Sequence, residues 1–266
     1  MKRLTIITIN YNNALGLHKT LGSIVAQKNK NFEYVVVDGA SEDESITLIQ
    51  KYNLQDFLDT QIVSEPDLGI YNAMNKGIKM AKGEYLLFLN SGDTLENTDV
   101  VQCFMEANVT ADVATGIERK GDLLIYPPAA VDLTYSYFYE NTLLHQSTFI
   151  RRDAFQRFGT YREDYQIVSD WEWFFRTIIR DGATYQTLDF IVADFDCNGI
   201  SHSSEFRTLQ NLERERVHQE ILPCIRKDYE ELDRLRKISI EYDHLKNGRL
   251  GFIVNWCLKI KTLKRK

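Results

Sequence analysis

Three apolar, β-branched runs, Leu4 to Ile9, Phe32 to Val37 and Tyr85 to Leu89, each end in a polar turn rich in Asn, Asp, Gly or Ser. Between them lie segments of helical period over Ala14 to Gln27, Ser41 to Tyr52 and Ile70 to Ala81. Such alternation admits few folds. It predicts an α/β domain whose mostly parallel central sheet is flanked by helices on both faces. In sheets of this kind ligands sit beyond the carboxyl ends of the strands, so the segments to inspect are Thr8 to Asn13, Asp38 to Asp43 and Asn90 to Asp93.

After about residue 110 the pattern loosens, with a helix expected over Asp170 to Arg180 and a strand near Phe190 to Phe195. From Glu205 to His244 the chain is charged and helical in period, interrupted only at Pro223. A chain of 266 residues suits one substantial domain plus an appendage, and 44% hydrophobic with 26% charged residues is ordinary for a folded globule. The apolar stretch after Met1-Lys2-Arg3 is too short for a signal-peptide core, and no run approaches the roughly 20 apolar residues that span a bilayer. The expectation is a cytoplasmic protein. Cys103, Cys197, Cys224 and Cys257 are too widely spaced for a zinc knuckle or redox pair, which fits a reducing compartment.

Charge is uneven. Lys246 to Lys266 carries seven Lys/Arg and no acid, leaving 25 basic against 38 acidic residues in the rest, so nucleic acid is not an expected partner of the main domain. Leu245, Phe252, Ile253, Trp256, Ile260 and Leu263 fall along one side of a helix, with Lys246, Arg249, Lys259 and Lys266 on or flanking the other. A basic amphipathic tail of this kind suits an anionic membrane surface on the inner face of the cell membrane; packing on protein is the alternative.

None of the strand ends is the Gly-rich loop that a dinucleotide or a P-loop phosphate requires. They offer instead Asp38, able to accept hydrogen bonds from a base or ribose, and Asp93, able to hold a divalent cation. Oxygen ligands suit Mg²⁺ or Mn²⁺, and such an ion screens a diphosphate.

Thr5-Ile6-Ile7-Thr8-Ile9-Asn10-Tyr11-Asn12, Val36-Val37-Asp38-Gly39-Ala40-Ser41, and above all Ser64-Glu65-Pro66-Asp67-Leu68-Gly69-Ile70-Tyr71-Asn72-Ala73-Met74-Asn75-Lys76-Gly77 resemble family-2 glycosyltransferases of the bacterial polysaccharide-biosynthesis type. The likeness continues through Phe88-Leu89-Asn90-Ser91-Gly92-Asp93 to His145-Gln146-Ser147 and Ser169-Asp170-Trp171-Glu172, about residues 3 to 203 in all. The resemblance implies a GT-A fold, Rossmann-like, over 1–204, divided into a nucleotide-sugar half (1–110) and an acceptor half (111–204), with a helical extension over 205–266. It implies Thr8, Asn10, Asp38, Asp67, Asn75 and Ser91 on the donor side, Asp93 at the metal position and Asp170 as the catalytic base. His145, Gln146 and Trp171 fall on the acceptor side. The metal motif is thin, since Asn90 and Gly92 replace two carboxylates; His202 is a candidate further ligand. Met74 stands where many members have Arg, which removes one phosphate contact.

Each residue also has a plainer reading. Asp38 suits a turn, Asp67 and Asp93 suit caps, and Asp170 suits the N-cap of its helix. His145 suits a satisfied structural histidine, and the aromatic run Tyr135 to Tyr139 suits packing before sugar stacking. The expected function is inverting transfer from a nucleoside-diphosphate sugar, by resemblance a UDP-sugar, to a hydroxyl of a glycan or lipid-linked acceptor. A sugar nucleotidyltransferase would need a Gly-rich, Arg-bearing loop where Asn10-Tyr11-Asn12-Asn13 stands. A catalytically dead scaffold in polysaccharide assembly is the rival outside enzymes.

Overall fold

The structure is a computed structural model that describes residues 3–56, 58–196 and 204–247. Four parallel strands form one half of a nine-stranded sheet, in the order β3 (Asp59–Ser64), β2 (Glu33–Asp38), β1 (Leu4–Asn10), β4 (Tyr85–Phe88). Every residue of β1, β2 and β4 is buried, as strands covered on both faces must be. β3 is the edge strand, and its polar, partly exposed sequence gave no apolar run to mark it. The chain lays β2 and β3 to one side of β1 and then returns to place β4 on the other. The strand order therefore reverses between β1 and β4, where an open α/β sheet leaves its ligand crevice.

Beyond β4 the sheet becomes mixed. β8 (Thr148–Arg151) runs antiparallel between β4 and β6 (Val113–Lys120), and β6 pairs in parallel with β9 (Tyr185–Asp194). β9 carries the short β5 (Thr94–Leu95), and β7 (Leu123–Ile125) forms a hairpin with β6. Because β8 is reversed, its beginning stands beside the end of β4 and opposite Thr115, the third residue of β6. One rim thus gathers the ends of β1 and β4 with the start of β8, while β6 runs on past it beside β9.

Helices α1 (Ala14–Val25) and α4 (Val100–Glu106) cover one face, where Leu17, Leu21, Ile24 and Phe104 pack with Ile6, Val36 and Leu87. α3 (Ile70–Met80) lies against β1 and β2, its buried side formed by Tyr71, Met74, Asn75 and Ile78. Gly77 permits this approach, since a Cβ there would stand 2.5 Å from Ile7 Cγ2. α2 (Ser45–Lys51) begins four residues later than its period suggests, because Ser41 and Asp43 are engaged in loop hydrogen bonds. The helices between β7 and β9 are α5 (Tyr135–Glu140), α6 (Arg152–Phe158) and α7 (Ser169–Phe175), the last continuing as a π-helical turn over Arg176–Arg180. The aromatic run of α5 packs: Tyr135 and Phe138 meet Phe175 at 5.5 and 5.8 Å between ring centroids.

The charged segment forms α8 (Ser204–Ile221) and α9 (Pro223–Asn247), with Pro223 at the first helical position where its missing N–H does no harm. Two compact units divide the chain, Met1–Glu215 and Arg216–Lys266. Among the described residues no helix is long and apolar enough to cross a membrane.

Candidate active site

Asn13 Nδ2 bridges the crevice between β1 and β4, donating to Ser91 O at 3.0 Å and Ser91 Oγ at 3.3 Å, while its Oδ1 caps α1 at Gly16. Just past Ser91, Gly92 has φ +116°, a conformation that favours glycine, and a Cβ there would meet Asp196 Oδ2 at 3.2 Å. Asp93 is buried, with Oδ1 accepting from the backbone N–H of Asp196 at 3.0 Å. Burial pushes its pKa up to about 6. The Asp196 N–H and the charge of His145 pull it down, while the Asp196 and Asp194 carboxylates push it further up.

Asp170 occupies the first turn of α7, with Val168 rather than Asp170 at the cap position. Its Oδ1 accepts from the Tyr71 hydroxyl at 2.8 Å and its Oδ2 from His145 Nδ1 at 3.2 Å. Burial opposes ionisation, but the His145 hydrogen bond and charge, followed by Tyr71 and the Trp171 backbone N–H, hold the carboxyl below its ordinary range. Burial also works against charge on His145. The hydrogen bond and charge of Asp170, then Asp93 and Glu118, outweigh it and raise its pKa. On its other side His145 Nε2 stands 3.1 Å from Asn90 Nδ2, and Asn90 Oδ1 is buried without a hydrogen-bond partner among the described residues.

At the end of β2 Asp38 is fully buried and saturated. Ser41 Oγ and N, Asn10 Nδ2 and Ser64 Oγ all donate to it, lowering its pKa against the opposing effect of burial. Thr8 lies beneath this rim, also fully buried, its hydroxyl donating to Leu89 O and accepting from Tyr34. Asp67 does not cap α3, whose cap position is Gly69; its Oδ1 takes a 2.6 Å ion pair from Lys76, and its Oδ2 is what a Cβ on Gly39 would meet at 2.9 Å. Asn75 clips α3 to the segment after α6, exchanging hydrogen bonds with the Tyr161 backbone and donating to Glu163 at 2.8 Å.

Gln146 is buried in the short 3-10 turn His145–Ser147 that leads into β8. Trp171 is buried, its indole N–H donating to Phe138 O and Asn141 O at 3.0 Å and its ring lying under the Arg214 guanidinium. His202 lies outside the described residues. The structure thus brings Asp170, His145 and Asn90 together, with Asp93 on the same rim, and sets Thr8, Asn75 and Trp171 in supporting positions.

Three participants escaped the sequence reading. Tyr71 lay in a recognised motif without a role. Asp196 follows a strand that was anticipated, and the rule applied to the other strand ends would have reached it. Glu118 is a single acid in β6 that burial raises to about 8, with His145 pulling down and Asp93 pushing up. Nothing in the sequence marked it.

Residues 5–184 match the family described as glycosyl transferase family 2. A PGL/p-HBAD biosynthesis glycosyltransferase of Mycobacterium bovis (strain BCG / Pasteur 1173P2) is 31% identical over 205 residues, 75% of this chain and 79% of the relative. The crystal structure of S. aureus TarS 1-349 in complex with UDP-GlcNAc superposes with a TM-score of 0.62 at 18% identity, covering 79% of this chain and 65% of that one. The mannosyltransferase PcManGT from Pyrobaculum calidifontis, in complex with GDP-Man and Mn²⁺, gives 0.60 at 18%, covering 78% and 60%. The chain spans less than two thirds of either structure, and the likeness is one of fold, the GT-A arrangement that the sequence led us to expect.

Proposed function

The chain belongs to glycosyl transferase family 2, and from that premise we propose that it inverts an anomeric centre, moving a hexosyl or N-acetylhexosaminyl unit from a nucleoside-diphosphate sugar to an acceptor hydroxyl. UDP is the favoured nucleotide, and the acceptor is a glycan or lipid-linked sugar in cell-surface polysaccharide biosynthesis. The observation that carries this reading is the Asp170 carboxylate, held by Tyr71 on Oδ1 and His145 on Oδ2, with the Trp171 backbone N–H as a third donor, at the rim that also bears Asp93. A carboxylate has about four acceptor positions, so capacity remains for a proton. Asp170 takes the acceptor proton as the acceptor oxygen bonds to the anomeric carbon, and the bond from that carbon to the diphosphate breaks with its electron pair on the diphosphate oxygen. Residues 1–110 serve the donor, with Asn10, Asp67 and Ser91 around the nucleotide and Thr8, Asp38 and Asn75 supporting from beneath, Asp38 by holding Ser41, Ser64 and Asn10 in place; residues 111–204 serve the acceptor, with His145, Gln146 and Trp171.

The residues fit a divalent cation of modest protein ligation. Among the described residues no three His, Cys, Asp or Glu side chains gather as a cage, but Mg²⁺ or Mn²⁺ needs only one or two carboxylates when phosphate oxygens and water complete its shell. Asp93, with Asp196 beside it, meets that requirement, and its raised pKa marks a carboxylate short of positive charge. Bound there, the ion would neutralise charge on the departing diphosphate. A cation competes with the proton on Asp93, so Mn²⁺-dependent UDP affinity is expected to rise about fivefold between pH 5 and pH 6, about tenfold by pH 7, and to level off above that. Asp93→Asn should remove the Mn²⁺ dependence at an unchanged melting temperature. Equal UDP binding by the wild type with and without EDTA, read by calorimetry, would sink the metal assignment.

The site of action we infer is peripheral, on the inner face of the cell membrane, through the basic amphipathic tail; most of that tail lies outside the described residues. The full chain should float with anionic liposomes at low salt and a chain ending at His244 should not. If neither floats, the tail has no membrane role.

A further inference from the structure

We propose that Tyr71 is a positioning residue for the transfer: its hydroxyl, lodged between Asp170 Oδ1 and the Ile167 carbonyl, aims the carboxylate at the acceptor and follows its change of charge. The proposal rests on the reading of Asp170 as the base. Tyr71 Oη stands 2.8 Å from Asp170 Oδ1 and 2.5 Å from Ile167 O, and the residue is 4% exposed. Its ring lies 5.8 Å from that of Tyr161, between centroids. The surrounding part of α3 is fixed from two directions. Lys76 pairs with Glu65 and Asp67 of the donor loop, while Asn72 and Asn75 hold Glu163 of the acceptor segment. Tyr71 is thus the point at which a rigid donor-side helix touches the base.

A phenol has one proton, and here two acceptors share it. While Asp170 is ionised the charge-assisted bond to Oδ1 is the stronger one. Once the acceptor O–H bond breaks and its proton sits on Asp170, the neutral carboxyl is the weaker acceptor, and the tyrosine proton turns to Ile167 O without movement of the ring. Burial keeps Tyr71 neutral, so it remains a donor throughout. The other groups facing Asp170 are His145 on its second oxygen, Tyr161, and Arg214 from α8.

The test compares Tyr71→Phe, Asn72→Ala and Asp170→Asn. Turnover is read as UDP release from UDP-GlcNAc, and the Asp170 carboxyl is followed by ¹³C NMR, which needs neither donor nor acceptor. In Tyr71→Phe the Asp170 midpoint should move to higher pH and turnover should fall roughly 10- to 100-fold at unchanged KM for the donor. Asn72→Ala, which loosens the same helix without touching the carboxylate, should leave the midpoint alone. Site-specific 3-fluorotyrosine at position 71 keeps the shape and strengthens the donor, so it should move the midpoint down even if Tyr71→Phe folds poorly. An Asp170 midpoint unmoved by both tyrosine changes, or moved equally by Asn72→Ala, overturns the proposal. Undiminished turnover in Asp170→Asn would instead overturn the base, and the NMR midpoints would still report on Tyr71.

Discussion

Asp170→Asn is expected to lower sugar transfer by about 10² to 10⁴-fold while donor affinity stays within a factor of about two, because a general base acts only as the acceptor hydroxyl attacks. The substitution is nearly isosteric. Asn can still accept from the Tyr71 hydroxyl, so packing of α7 on α3 should survive and the melting temperature should change little. The electrostatics change more. The Asp170 hydrogen bond and charge are the main influences that raise the His145 pKa against burial. Without them burial prevails, and His145 should titrate lower in the variant. A histidine raised in the folded state stabilises below its unfolded pKa, and that stability is lost as pH rises through the folded value. The variant should therefore show a shallower loss of stability across that window. Product analysis supplies the stereochemical arm, and a retained anomeric configuration would remove the single-displacement mechanism whatever the rate.

The parts legible in the sequence were those set by local rules. β1, β2 and β4 are buried on both faces, so their apolar runs announced them, and the polar turns after β1, β2 and β4 led directly to Asn10, Asp38 and Asp93. β3 was missed because an edge strand need not be apolar, and β8 because four residues between helices carry little period. The reversal of β8 is what brings His145 to Asn90, 55 residues away in sequence, and no local pattern encodes that pairing. Asp170 was recognised by motif, but its partners Tyr71 and His145 lie 99 and 25 residues away and are joined to it only by the sheet. Glu118 was hidden for the same reason: an acid in a strand reads as solvent-facing until the neighbouring strands and the His145 turn cover it.

That hidden acid governs the second large effect. Glu118 is 1% exposed, and among the described residues its Oε2 has no hydrogen-bond partner. Burial raises its pKa from 4.5 to about 8, so the folded protein keeps a proton that the unfolded chain gives up near pH 4.5. Between these values the native state binds the extra proton. Stability from this group is therefore full below pH 4.5 and is lost as pH rises through 8, at up to about 1.4 kcal/mol per unit. Over the whole window this amounts to on the order of 3–5 kcal/mol, shared with His145 and Asp93, which titrate with it. Asp93 is largely ionised by pH 6.5, so the interval from 6.5 to 8.5 isolates Glu118 and His145. Glu118→Gln keeps the shape and cannot ionise. It also withdraws part of what raises His145, which acts in the same direction. The wild type should lose several degrees of melting temperature between pH 6.5 and 8.5, at roughly 2–4 °C per kcal/mol for a domain of this size, and Glu118→Gln should lose markedly less. Parallel melting curves for the two proteins across that interval would mean that Glu118 is already ionised in the native state and that its charge is neutralised within the site.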